Sequence, residues 1–216
     1  MRIVHAFLAS ALLTGAVAVV AQQAPAPAPA TPGTKNVAAI TGGSYTADPG
    51  HTLVEWTVDH LGFTPYFGIF GNVTGTLTFD PKAPAAAKVD VTIPVAEVTT
   101  ASAGLTKHLL KPAEAGKPAD FFGATPAAAK FVSTKVTVAG QDAKIEGNLT
   151  LNGVTKPVML DAKFYGAGKM PAQMGGKEGI GFTAKGVIKR SEFGIGYGIP
   201  MVSDEVKLKI VAAFMK

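Results

Sequence analysis

Beyond residue 45, hydrophobic and polar positions alternate along this chain in short runs of period two. Leu149 and Leu151 alternate with Thr150 and Asn152, the pattern of a strand with one buried face. Asn152-Gly153 follows, the dipeptide that most readily takes the positive φ angles of a type I′ hairpin turn, and the alternation resumes from Val154 to Phe164. Runs of this kind, bounded by turn residues, predict strands over 51–59, 69–80, 88–95, 130–138, 143–152, 156–166, 178–189 and 205–214. Eight strands with mostly short connections and no βαβ alternation predict an all-β fold, an eight-stranded antiparallel barrel. The exception is 96–129, which contains Leu105, Leu109 and Leu110 and reads as a short helix and loop crossing one end of the barrel.

The period of two also assigns faces. Thr52, Val54, Trp56 and Val58 share one, as do Val73, Gly75, Leu77 and Phe79, and again Val89, Val91, Ile93 and Val95. An eight-stranded barrel is just filled by such side chains, or it encloses one small ligand, and the pattern leaves both open. Phe63, Phe67 and Phe70 fall in a stretch with Pro65 and three glycines that reads as a loop, and Phe121-Phe122 lies in the crossover. Each such ring carries about 150–250 Å² of surface to bury. These rings either plug the barrel end or form an entrance for a long apolar chain.

Several separated motifs occur in a recognisable order. They are His51-Thr52-Leu53-Val54-Glu55-Trp56-Thr57-Val58-Asp59-His60-Leu61-Gly62, Gly68-Ile69-Phe70-Gly71, Gly75-Thr76-Leu77-Thr78-Phe79-Asp80-Pro81 and the hairpin at 147–158. Phe121-Phe122, Gly181-Phe182-Thr183-Ala184 and Arg190-Ser191-Glu192-Phe193-Gly194 complete the set. Together they resemble the YceI-like family of periplasmic, lipocalin-like proteins that bind polyisoprenoids. The resemblance covers about 45–215. It implies a hollow barrel holding a long isoprenoid or acyl tail, as in a polyprenyl phosphate, a quinone or a fatty-acid derivative, for transport or storage. On that reading Val54, Trp56, Val58, Leu77, Phe79, Val91 and Ile93 contact the tail from the strands, with Phe131 and Phe182 beyond them. Leu105, Leu109, Phe121 and Phe122 of the crossover, with Phe63, Phe67 and Phe70, form the ligand entrance, and His60 or Arg190 orients the head group. The sequence departs from its relatives at Leu105-Thr106, where they carry Arg-Asp, and 111–119 is longer than usual.

The first residues add a location. Arg2 precedes a mostly apolar stretch over 3–20, and Val19-Val20-Ala21 places small residues for cleavage, so 1–21 reads as a signal peptide and the mature protein as periplasmic. Read as a membrane anchor, the stretch is near the lower length limit and lacks a cationic flank. Residues 22–43, rich in Ala and Pro, read as a linker, and 44–216 as the barrel domain.

Composition mostly excludes. With no cysteine there is no disulfide, no thiolate metal site and no lipid-bearing cysteine. Without Arg2 the mature chain carries nineteen Lys+Arg against 15 Asp+Glu. That balance suits contact with a membrane surface, but no basic run with interleaved aromatics marks a nucleic-acid partner. His51, His60 and His108 lack the spacing of metal ligands, and no cofactor motif is present. Gly194-Ile195-Gly196-Tyr197-Gly198 lacks the helix a nucleotide loop needs and reads as a turn. There is no nucleophile elbow and no clustered carboxylate pair, so the sequence reads as a non-enzyme. Arg190 alternatively pairs with Glu192 or Asp204. Three other readings stay open: an enzyme with convergent titratable groups in the barrel mouth, a barrel embedded in the outer membrane, and a filled-core stress-response or interaction module without a ligand. An exposed edge or rim would also allow a homodimer.

Overall fold

The computed structural model describes residues 30–216. The predicted signal peptide and the first part of the predicted linker lie outside the described residues. The strands are β1 (Gly43–Ala47), β2 (Leu53–His60), β3 (Thr64–Phe70), β4 (Thr74–Phe79) and β5 (Lys88–Ile93), followed by β6 (Ala129–Ala139), β7 (Asp142–Leu151), β8 (Val154–Lys169), β9 (Glu178–Lys189) and β10 (Glu205–Met215). One helix, α1 (Ala103–Leu109), lies in the crossover, with the Ser102 hydroxyl accepting from the Leu105 amide at its start.

All pairings are antiparallel, in the order β1-β4-β5-β6-β7-β8-β9-β10-β2-β3, and β1 also pairs with β10. The ring therefore closes. β1 and β2 run end to end along β10, with Thr46 opposite Met215 and Leu53 opposite Val211. Across the break between them, the Thr52 hydroxyl donates to the Ala213 carbonyl at 3.0 Å and accepts from the Ala213 amide at 3.2 Å. A buried side chain thus replaces a missing ladder rung. β3 and β4 flank β2 and β1 in the same way, so the ten strands form eight antiparallel staves.

The predicted strands at 51–59 and 69–80 are each parts of longer, broken staves. The predicted loop around Phe63, Phe67 and Phe70 is instead a tight turn followed by β3. Pro65 and Gly68 had argued against a strand there, yet β3 ends the strand order, and an edge tolerates a residue without an N–H. The hairpin turn is as predicted: Asn152 and Gly153 have φ of 51° and 76°, and Leu151 pairs with Val154.

The described part of the predicted linker packs onto the barrel. Thr34 exchanges two 2.9 Å backbone hydrogen bonds with Ala167, and Ile40 is buried in the core of that end. Gly168 permits the approach, because a Cβ there would lie 1.9 Å from the Pro32 carbonyl oxygen. At the same end Tyr45 is fully buried, its hydroxyl against the Thr41 carbonyl and 2.9 Å from Glu178 Oε2. Burial, reinforced by that carboxylate, pushes the phenol up to about 12.

The apolar face of the sheet is turned inward and the outer wall is charged. Lys130–Asp90, Lys135–Glu146, Lys144–Asp161, Lys163–Asp142 and Lys209–Glu55 pair across neighbouring strands. This is the reverse of a membrane-embedded barrel, whose apolar band faces lipid.

Candidate functional site: a two-chambered apolar interior

The inward side chains do not fill the barrel. Two cavities of about 290 and 440 Å³ lie inside it, and Val54, Ile93, Leu149 and Leu208 line both. Close-packed interiors contain few voids larger than a water molecule, whereas ligand sites typically span about 300–1,000 Å³. The two cavities adjoin at these four residues.

The smaller chamber lies toward the end that carries Val37 and the β6–β7 hairpin. Its wall includes Leu77, Phe79, Val91, Phe131 and Phe182 from the predicted set. Phe182 meets both Phe79 and Phe164 edge to face, at centroid distances of 6.2 and 6.0 Å.

The larger chamber lies under α1 and the crossover. Trp56, Val58 and His60 enter it from β2, Phe70 from β3, Leu105 and Leu109 from α1, and Phe121 and Phe122 from the segment beyond. The Phe122 amide donates to the Leu109 carbonyl at 3.0 Å, and Phe70 and Phe122 meet edge to face at 5.9 Å. Trp56 stands opposite Gly68, where a Cβ would lie 2.3 Å from the indole Cζ2, so only glycine lets the ring lie across β3. Its Nε1–H is buried without a hydrogen-bond partner.

Polar groups gather at this end. His60, Tyr66, Ser102, His108, Tyr197 and Arg190 border the larger chamber, and no carboxylate does among the described residues. His108 Nε2 lies 2.8 Å from Asp120 Oδ2, and its ring packs edge to face on Phe121 and Tyr197.

Arg190 requires a correction. Rather than reaching for a head group, its guanidinium donates to the carbonyls of Ser203, Ile195, Tyr197 and Val202 at 2.8–2.9 Å. It is 5% exposed, and burial lowers its pKa against the opposing field of Asp204. Neither Glu192 nor Asp204 forms an ion pair with it; Asp204 accepts from the amide and hydroxyl of Ser191. Arg190 is the clasp that folds 195–203 over the chamber.

Phe63 and Phe67 also lie elsewhere than predicted. They are 88% and 58% exposed and line neither chamber. Phe63 sits on the β2–β3 turn, its amide donating to the His60 carbonyl at 3.2 Å, while the faces of β3 turn Tyr66 and Phe70 in and Phe67, opposite Thr57, out. Tyr66 was legible once 64–70 is read as a strand. His108 and Tyr197 join the site through tertiary contacts that no local pattern encodes.

The YceI-like domain matches residues 45–214. Protein YceI of Escherichia coli is 45% identical over 161 residues, covering 74% of this chain and 79% of that protein. Among solved structures, a Campylobacter jejuni YceI protein shares 31% identity with a TM-score of 0.61, over 73% of this chain and 89% of that one. Burkholderia cenocepacia BcnA shares 26% identity with a TM-score of 0.62, over 77% and 98%. A polyisoprenoid-binding domain from Saccharophagus degradans is similar in fold, at 13% identity and a TM-score of 0.54, over 79% and 97%.

Proposed function

The chain belongs to the YceI-like domain family, and from that premise we propose that it is a non-enzymatic carrier that holds one amphiphile with a long isoprenoid or acyl tail. The observation that supports this most is the apolar lining of two cavities that share four wall residues, which we take as the waist of one tail-binding space along the barrel. The tail lies through the waist into the smaller chamber. The head group lies in the larger one, among His60, Tyr66, His108 and Tyr197. Donors without a bordering carboxylate suit a head group that accepts hydrogen bonds, a carbonyl or a phosphate, over a cation. Export through residues 1–21 to the periplasm, and transport or storage there, complete the proposal. The name of the Saccharophagus domain supports an isoprenoid tail.

Affinity then comes from tail burial. In a displacement assay with a fluorescent fatty-acid probe, each added methylene is expected to tighten binding about fourfold until the chambers are full. Affinity independent of tail length would contradict the proposal.

A further inference from the structure

Three segments without a single Asp, Glu, Lys or Arg converge around the mouth of the larger chamber: 61–70, 121–129 and 193–203. The Leu61 amide donates to the Met201 carbonyl at 2.7 Å, and His60 bridges to Val202, which ties the β2–β3 turn to the 196–202 loop. Tyr197 links that loop to Phe121, at 5.5 Å between ring centroids. On this rim Phe63, Met201, Phe67 and Tyr197 are 50–88% exposed. Of the other exposed large apolar residues, Val132, Met159, Val187 and Val211 lie on strands of the outer wall, Tyr165 lies under Lys35, and Met174 stands alone in the β8–β9 connection.

We propose that this rim docks on a lipid bilayer, with Phe63 and Met201 entering its interfacial region so that the larger chamber opens toward the membrane. The proposal rests on the carrier reading above. Four features favour a bilayer over another protein surface. The tips are single exposed side chains, Phe63 on the β2–β3 turn and Met201 in the 196–202 loop, which a deformable bilayer accepts. The inserting side chains themselves carry no charge, and the exposed Asp59 carboxylate, which accepts from the Gly62 amide beside Phe63, stays at the level of the head groups. Tyr197 borders the chamber and is half exposed, as an aromatic at the membrane interface is. Finally, Lys107 on the outer side of α1, and Lys117 beyond it, are exposed and form no ion pair among the described residues, which complements anionic head groups.

The absence of cysteine gives a clean test. Phe63→Cys and, as a control on the barrel wall, Val187→Cys each provide one site for an NBD label. With vesicles of phosphatidylethanolamine and phosphatidylglycerol, the label at 63 is expected to shift to the blue and to be quenched by doxyl lipids, while that at 187 does neither. Phe63→Ser with Met201→Ser is expected to weaken vesicle partition about tenfold or more, because two apolar side chains leave the interface. Probe displacement without vesicles reports cargo binding separately and is expected to be unchanged in that double variant. An unaltered label at 63 in protein that binds the probe overturns the docking surface alone. The same blue shift on raising protein concentration without vesicles also overturns it, in favour of a second copy. Vesicle entry by protein that binds no probe leaves docking standing and removes the carrier reading.

Discussion

Leu149→Trp is expected to separate long tails from short ones. Leu149 lines both chambers, and an indole there occupies the passage between them. A tail confined to the larger chamber forfeits roughly four methylenes of burial, about 3 kcal/mol, so the Kd for a long-tailed amphiphile rises about a hundredfold. Amphiphiles short enough to fit the larger chamber alone keep their affinity. The substitution fills empty space, so the urea midpoint is expected to move little. Equal losses for long and short tails would show that the chambers do not act as one channel.

Arg190→Met is expected to give the largest change in stability. The methionine removes the donors to four carbonyls gathered from 195 to 203, in a loop that has folded around them. A buried acceptor left without its partner costs roughly 1–3 kcal/mol. Some of the four will be reached by water, so urea unfolding is expected to show a loss of about 4 kcal/mol. Arg190→Lys, which keeps the charge but not the planar fork, is expected to fall between. A loss under about 1 kcal/mol would mean that the loop is held by other contacts. Both variants are also expected to weaken head-group binding through displacement of Tyr197, which Arg190 holds by its carbonyl.

Why the interior was so legible, and the rim less so, follows from what each depends on. Val54, Trp56, Leu77, Phe79, Val91 and Ile93 face inward because a strand alternates its faces, a local rule that needs no partner. The Asn152-Gly153 turn was equally local. Phe63 and Phe67 were placed by composition, on the ground that aromatics avoid water, and composition carries no direction. Arg190 was read by its charge, yet its role is set by carbonyls that only the folded loop brings within reach. His108 and Tyr197 lie far apart in sequence and meet only when the crossover and the last loop cover the same end of the barrel. The family resemblance supplied what periodicity left open, that the interior is hollow. The chambers are consistent with it.

The carrier proposal stands or falls on an occupant. Native mass spectrometry of the mature protein taken from periplasmic extract, followed by organic extraction, measures that directly. The expected result is one equivalent of an amphiphile with a long apolar tail, released on extraction. Homogeneous ligand-free protein that takes up no added polyprenyl phosphate, quinone or fatty amide would contradict the proposal.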